Sequence, residues 1–132
     1  MTIRGLLFRF ALTYFVALLV VGFALHLAGN TPSWLNVGLR AGLFAGVEYF
    51  LLSLFSLRNK RAASKTELCL ALSGMLAIDF LVNMLGRSSG VDLGVSALAA
   101  LTASTFHGLC AIPAVISVHG RMTRLFLHTA NG

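Results

Sequence analysis

Four residues of this sequence pair ionisable or amide chemistry with an apolar setting: Glu48, Asp79, Asn83 and His107. Each lies inside a run otherwise suited to lipid, where an ionisable side chain costs about 2.5–3.5 kcal/mol on insertion scales. Helical depth is counted at 1.5 Å per residue from the end of each run that adjoins a basic segment. Glu48 then lies about 14 Å in, and Asp79 and His107 about 16 Å. The spacing therefore predicts two carboxylates and an imidazole at one level, near the middle of a bilayer. Asn83 follows Asp79 by four residues, so its amide is expected on the same helix face, donating to that carboxylate.

Two carboxylates close together in a low dielectric do not both ionise cheaply, and a shared proton or a bound cation resolves the conflict. Clusters of acid and imidazole mark proton relays and substrate pathways in transporters. The same groups also serve as inter-helix hydrogen bonds worth about 0.6–2 kcal/mol each, fixing which helix faces turn inward. Equal depth leaves both readings open, because it does not set helix rotation.

Ser104 and His107, one turn apart, resemble a nucleophile beside its base, but neither an orienting third group nor an oxyanion device is legible. A non-enzymatic protein is expected. Cys69 and Cys110 stand inside apolar runs and read as small packing residues, and no metal or cofactor motif is present.

The elements that must carry these groups follow from composition. Of 132 residues, 58% are hydrophobic and 11% charged, where a soluble domain carries about 25% charged residues. There is too little polar surface to cover a globule in water, so the chain is read as a single integral membrane domain. Four runs, about 6–28, 35–57, 68–85 and 95–118, approach or exceed the roughly 20 helical residues a bilayer requires. Strands are excluded as spans, since an open sheet edge is unsatisfied in lipid and four segments cannot close a barrel. The expected fold is all-α, a bundle of four transmembrane helices. The first run is too long for a typical signal-peptide core, so it is read as an uncleaved span.

The net charge of +6 does not point to nucleic acid, because the basic residues fall between the apolar runs. Arg4, Arg9, Arg58, Lys60, Arg61, Lys65, Arg121 and Arg124 gather on one side of the predicted topology, with Arg87 alone on the other beside Asp92. The positive-inside rule then puts both termini in the cytoplasm, in a bacterial inner membrane. The segments around Gly29, Asn30 and Pro32 and around Gly86, Ser88, Ser89 and Gly90 are short turns, so the helices they join should be antiparallel neighbours. The tail RMTRLFLH could form a short amphipathic helix on the inner surface.

The second run carries a row of glycines, Gly38, Gly42 and Gly46, flanked by Ala41 and Ala45. Such a ridge lets another backbone approach closely. The fourth run offers a matching small face in Ser96, Ala100, Ser104 and Gly108. Arg40 projects nearly opposite the glycines, about 7 Å from the outer end of its helix. It is expected to anchor the interface by snorkelling or to pair with Asp92. Trp34 suits the outer headgroup region. Pro113 removes the donor for the Leu109 carbonyl and permits a kink in the fourth span.

From NVGLRAGLFAGVEYFLLS through LRNKRAASKTELCLALSG, the chain resembles the ABZJ-type family of small bacterial inner-membrane proteins. The resembling features are a small-residue helix, a basic inner loop, then a glutamate and an apolar span opening on leucines. Here these are Gly42, Ala45, Phe55, Arg61, Glu67 and Leu70. The resemblance covers about a third of the chain and implies a location, not an activity. Small multidrug exporters and fluoride channels are of similar size. The exporters place an essential glutamate in the first span, where this chain has none. The channels carry a Gly-rich motif with an asparagine that is not found here.

Two function classes remain. The leading expectation is an interaction protein that binds another membrane component through its helix faces. It would be an accessory subunit or an immunity-type protein against a pore-forming toxin, with a membrane protein or a second copy as partner. The alternative is a small proton- or cation-coupled transporter or channel using Glu48, Asp79 and His107.

Overall fold

In hydrocarbon every backbone N–H and C=O must find its partner inside the protein, and a helix achieves this within one segment. All four apolar runs fold that way. The computed structural model describes the backbone of residues 1–29, 32–87 and 93–130, and their side chains except at 86, 87, 93–96, 129 and 130. The helices are α1 Ile3–Ala28, α2 Ser33–Arg58, α3 Lys65–Arg87 and α4 Leu93–Ala130, and no strand occurs among the described residues. Each helix is long and apolar enough to cross a membrane. The chain is an all-α, four-helix, multi-pass membrane protein.

The helix ends differ from the expected spans chiefly in α4. RMTRLFLH does not form a separate surface helix. It continues α4, with Met122 buried and Phe126 packed against the core. The basic residues that end the apolar run do not end the helix, because apolar side chains at the helical period keep one face packed. Pro113 lies within α4, and the helix runs on through it.

α1 packs on α2 and α3, and α4 packs on the same two, so the ring reads α1–α2–α4–α3. α1 with α4 and α2 with α3 therefore stand across the bundle from each other. Chain direction makes α2 and α4 parallel neighbours. Asn59, at the end of α2, donates through its amide to the Met1 carbonyl at 3.0 Å, which ties the start of α1 to the α2–α3 connection. We call this the terminal end of the bundle and the opposite one the loop end.

Each helix buries a narrow stripe and leaves the rest apolar and exposed. α1 buries Leu6, Phe10 and Tyr14, four residues apart, while Phe8, Leu12, Leu19 and Phe23 face outward. α3 buries Ala71, Met75, Asp79 and Asn83 in a row of the same spacing. α2 buries Ala41, Phe44, Glu48, Leu51, Leu52 and Phe55, with the alternating three- and four-residue steps of a helix-packing seam. So broad an apolar exterior suits lipid rather than water. Cys69 and Cys110 lie on that exterior, not in the packing seams where they were expected.

The start of α3 is fixed by a capping box. The Glu67 amide donates to Ser64 Oγ at 3.2 Å, and the Ser64 amide donates to Glu67 Oε2 at 2.8 Å. Arg61 then clasps both oxygens of Glu67, at 2.7 and 2.8 Å. Ser64→Ala is expected to cost about 1 kcal/mol locally and to speed exchange of the Glu67 amide about fivefold. Hydrogen exchange in micelles reads this directly. An unchanged rate would mean that the box does not hold the first turn.

Candidate functional site

At the centre of the bundle, three helices bring polar groups into contact. Asp79 of α3 is fully buried. The Tyr14 hydroxyl of α1 donates to its Oδ1 at 2.5 Å. Nδ1 of His107, on α4, lies 3.0 Å from its Oδ2. One proton occupies the Nδ1–Oδ2 hydrogen bond whichever partner owns it, and Nε2 is the second ring nitrogen, free of that bond. α2 contributes a wall: Phe44 stacks on the His107 ring with centroids 6.0 Å apart and meets Phe10 and Tyr14 edge-on. The aromatic wall excludes water from a carboxylate held by two partners, and hydrogen bonds in such a setting are stronger than in water.

Asp79 and His107, expected at one level with their contact left open, are in contact. Two other expectations need correction. Asn83 does reach back one turn, but its amide donates to the Asp79 backbone carbonyl at 2.9 Å, not to the carboxylate. Both carboxylate oxygens are instead engaged by the neighbouring helices. Glu48 does not join the pair. It is fully buried, and neither of its oxygens has a hydrogen-bond partner among the described residues. Phe44, not Glu48, stands at the level of His107, which sets Glu48 about 6 Å nearer the terminal end. The depth count erred because helix ends and apolar-run ends do not coincide.

Tyr14 was missed by the sequence reading. The same arithmetic would have found it, since it lies about 12 Å into the first span, at the right depth to meet Asp79. Asp79 also supplies the group that orients His107. Ser104 Oγ is buried close to the Asp79 carboxylate and does not pair with the ring.

A cleft of about 810 Å³ opens between α2, α3 and α4 in the loop-end half, with His107 in its lining. Arg40, Asn36 and Asn83 supply polar lining, and Val37, Leu98 and Phe106 supply apolar walls. Arg40 Nε donates to Asn36 Oδ1 at 2.8 Å. Arg40 thus lies opposite the glycine row, as expected, and it lines the cleft. Asp92, its anticipated partner, lies outside the described residues. Trp34 is exposed beside Gly38 and Gly42 on the groove against α1.

Beyond Glu48, further buried polar atoms recur toward the terminal end: Ser53 Oγ and Ser56 Oγ on α2, His119 Nδ1 and Thr123 Oγ1 on α4. Each has no partner among the described residues. Burying an unpaired hydroxyl or imidazole costs about 1–3 kcal/mol in proteins, so this series calls for an explanation. Among the described residues no three His, Cys, Asp or Glu side chains converge as metal ligands would.

The glycine row turns outward. A Cβ built on Gly38, Gly42 or Gly46 would meet nothing within 4 Å. The bulky residues Phe44, Leu51, Leu52 and Phe55 take the inward face and rotate the small residues out. Ala45 is partly buried at the margin of the core. Ala100, Ser104 and Gly108 are buried, but they do not meet the glycines, and Ser96 lies outside the described side chains. A Cβ on Gly108 would come within 2.9 Å of Leu76, and one on Gly74 within 2.7 Å of Leu7. The close approaches inside the bundle are therefore at α3–α4 and α1–α3. Gly108→Leu is expected to destabilise the protein by about 1–3 kcal/mol. Gly42→Leu should leave the single chain within about 0.5 kcal/mol of wild type. Unfolding in micelles compares the two. Equal losses would mean that the row is already packed against another surface.

No family model, curated protein or solved structure matches the chain.

Proposed function

We propose that the protein is a small proton-coupled transporter or channel of a bacterial inner membrane, with both termini in the cytoplasm. The observation that carries this reading is the buried Tyr14–Asp79–His107 set, reached from the loop-end cleft through His107. The imidazole has one nitrogen tied to Asp79 and a second free of that bond, so it can take a proton on one side and release one on the other. Tyr14 holds the carboxylate in place. Glu48, buried and unpaired one turn further, is a second station. The unpaired groups at Ser56, His119 and Thr123 extend polar chemistry toward the terminal end. The absence of a converging ligand set among the described residues favours a proton over a metal cation. The eight basic residues at the terminal end support the inward orientation of that end.

The test is proton uptake by sealed vesicles that contain the purified protein, followed with an entrapped pH dye under an imposed potential. Uptake no faster than in empty vesicles, with and without candidate substrates, would remove the transport reading.

The second reading keeps the expected interaction role, as an accessory subunit, an immunity-type protein or a homo-oligomer. The outward glycine row favours it, because small residues with no internal neighbour leave room for another helix. The two readings are compatible if the carrier works as an oligomer.

A further inference from the structure

The cleft has a chemistry of its own, distinct from that of the proton groups behind it. Arg40 is the permanently charged side chain in its described lining, which contains no carboxylate. Asp79 stands behind His107 and is engaged by Tyr14 and His107. The Arg40 Nε bond to Asn36 fixes the guanidinium plane and leaves the two Nη groups, the fork that matches a carboxylate in bidentate fashion. Val37, Leu98 and Phe106 make the remaining wall predominantly apolar. The volume of about 810 Å³ lies within the range of small-molecule sites.

We infer that this cleft binds a small amphipathic monocarboxylate, with its carboxylate on Arg40 and its apolar body against Val37, Leu98 and Phe106. The inference rests on the transport reading and names the substrate class of the same site. His107 lines the same cleft, so a carboxylate on Arg40 and a proton entering at His107 share one chamber. That is the arrangement proton–anion symport requires. A purely polar anion would leave the apolar wall unused, and a cation would face the guanidinium.

The experiment is equilibrium binding of 2-naphthoate to the purified full chain in micelles, by calorimetry. The neutral 2-naphthylmethanol, inorganic phosphate and a short-chain phosphatidylglycerol serve as competitors. One saturable site per chain is expected, with little competition from the alcohol or from phosphate. Arg40→Gln should weaken binding about tenfold or more, the loss of a charge-assisted hydrogen-bonded pair. Ala99→Phe, which fills the cleft and leaves Arg40 in place, should abolish it. Binding that is matched by the alcohol, or is unchanged in either variant, overturns the proposal. Stronger binding of the phospholipid would make Arg40 a headgroup seat and would also overturn it. Cys110→Ala, on the bundle exterior and outside the cleft lining, should bind 2-naphthoate as wild type does. Failure of the transport reading is separately visible: a wild-type chain that binds but moves no proton keeps the anion seat and loses the carrier. A chain that moves protons without binding does the reverse.

Discussion

Asp79→Asn is expected to stop proton movement while leaving the bundle assembled. The amide has nearly the shape of the carboxylate. Its oxygen can still accept from the Tyr14 hydroxyl, and its nitrogen can donate to His107 Nδ1. The side-chain volume is nearly unchanged, so the stability loss should stay near the roughly 0.5–1.5 kcal/mol of one altered hydrogen bond. What the amide cannot do is receive a proton. Removal of a positioned proton-transfer group lowers rates by about 10²–10⁴-fold. Flux in vesicles should therefore collapse while thermal unfolding in micelles shifts by only a few degrees. Wild-type flux in this variant would reduce the Tyr14–Asp79–His107 set to a structural hydrogen-bond network. Asp79→Leu is the useful contrast, since it orphans both Tyr14 and His107 and should damage folding as well.

The second large effect has the opposite sign on stability. Glu48→Met should make the protein more stable, by about 1–3 kcal/mol, because it removes a buried carboxyl that has no partner among the described residues. Methionine is unbranched, of similar length, and adapts to irregular space. The same change should lower proton flux if Glu48 is a station. A gain in stability with a loss of flux is the signature of a group retained for function at a cost to the fold. A loss of stability would mean that Glu48 has a compensating partner in the folded protein, and the series of unpaired groups beyond it would lose its first member. Unfolding in micelles by a graded denaturant gives the sign.

The helices were legible because lipid allows few alternatives. A long apolar run with no internal backbone partner has to be a helix, so the number and approximate place of the spans follow from hydropathy alone. Helix rotation was not legible, for a physical reason. In water the inward stripe of a helix stands out against a polar face, whereas α1 is apolar on every side. The row Leu6, Phe10, Tyr14 carries no mark that separates it from Phe8, Leu12 and Phe15. The glycine row on α2 was visible as a row, yet its direction depended on the bulk of Phe44 and Phe55 on the opposite face. Asp79 and His107 were legible as groups at one level, while their contact depended on helix rotation and came from the packing. Tyr14 carries no such mark in the sequence, because a phenol costs less in that setting than an ion. The cleft was hidden for a different cause: Arg40, Asn83 and His107 belong to three helices, and only their packing makes a chamber of them.

The ring order α1–α2–α4–α3 also bears on how the protein is made. Helices emerge from synthesis in chain order, and α4 follows the other three. Until it arrives, α2 lacks a neighbour on one flank, and Asp79 has Tyr14 but not His107. A nascent chain of three helices would hold a half-satisfied carboxylate beside lipid or the insertion machinery. The arrival of α4 is then the step that seals this interior. Chains arrested before about residue 107 should remain bound to that machinery or be degraded, while those that extend past it are released.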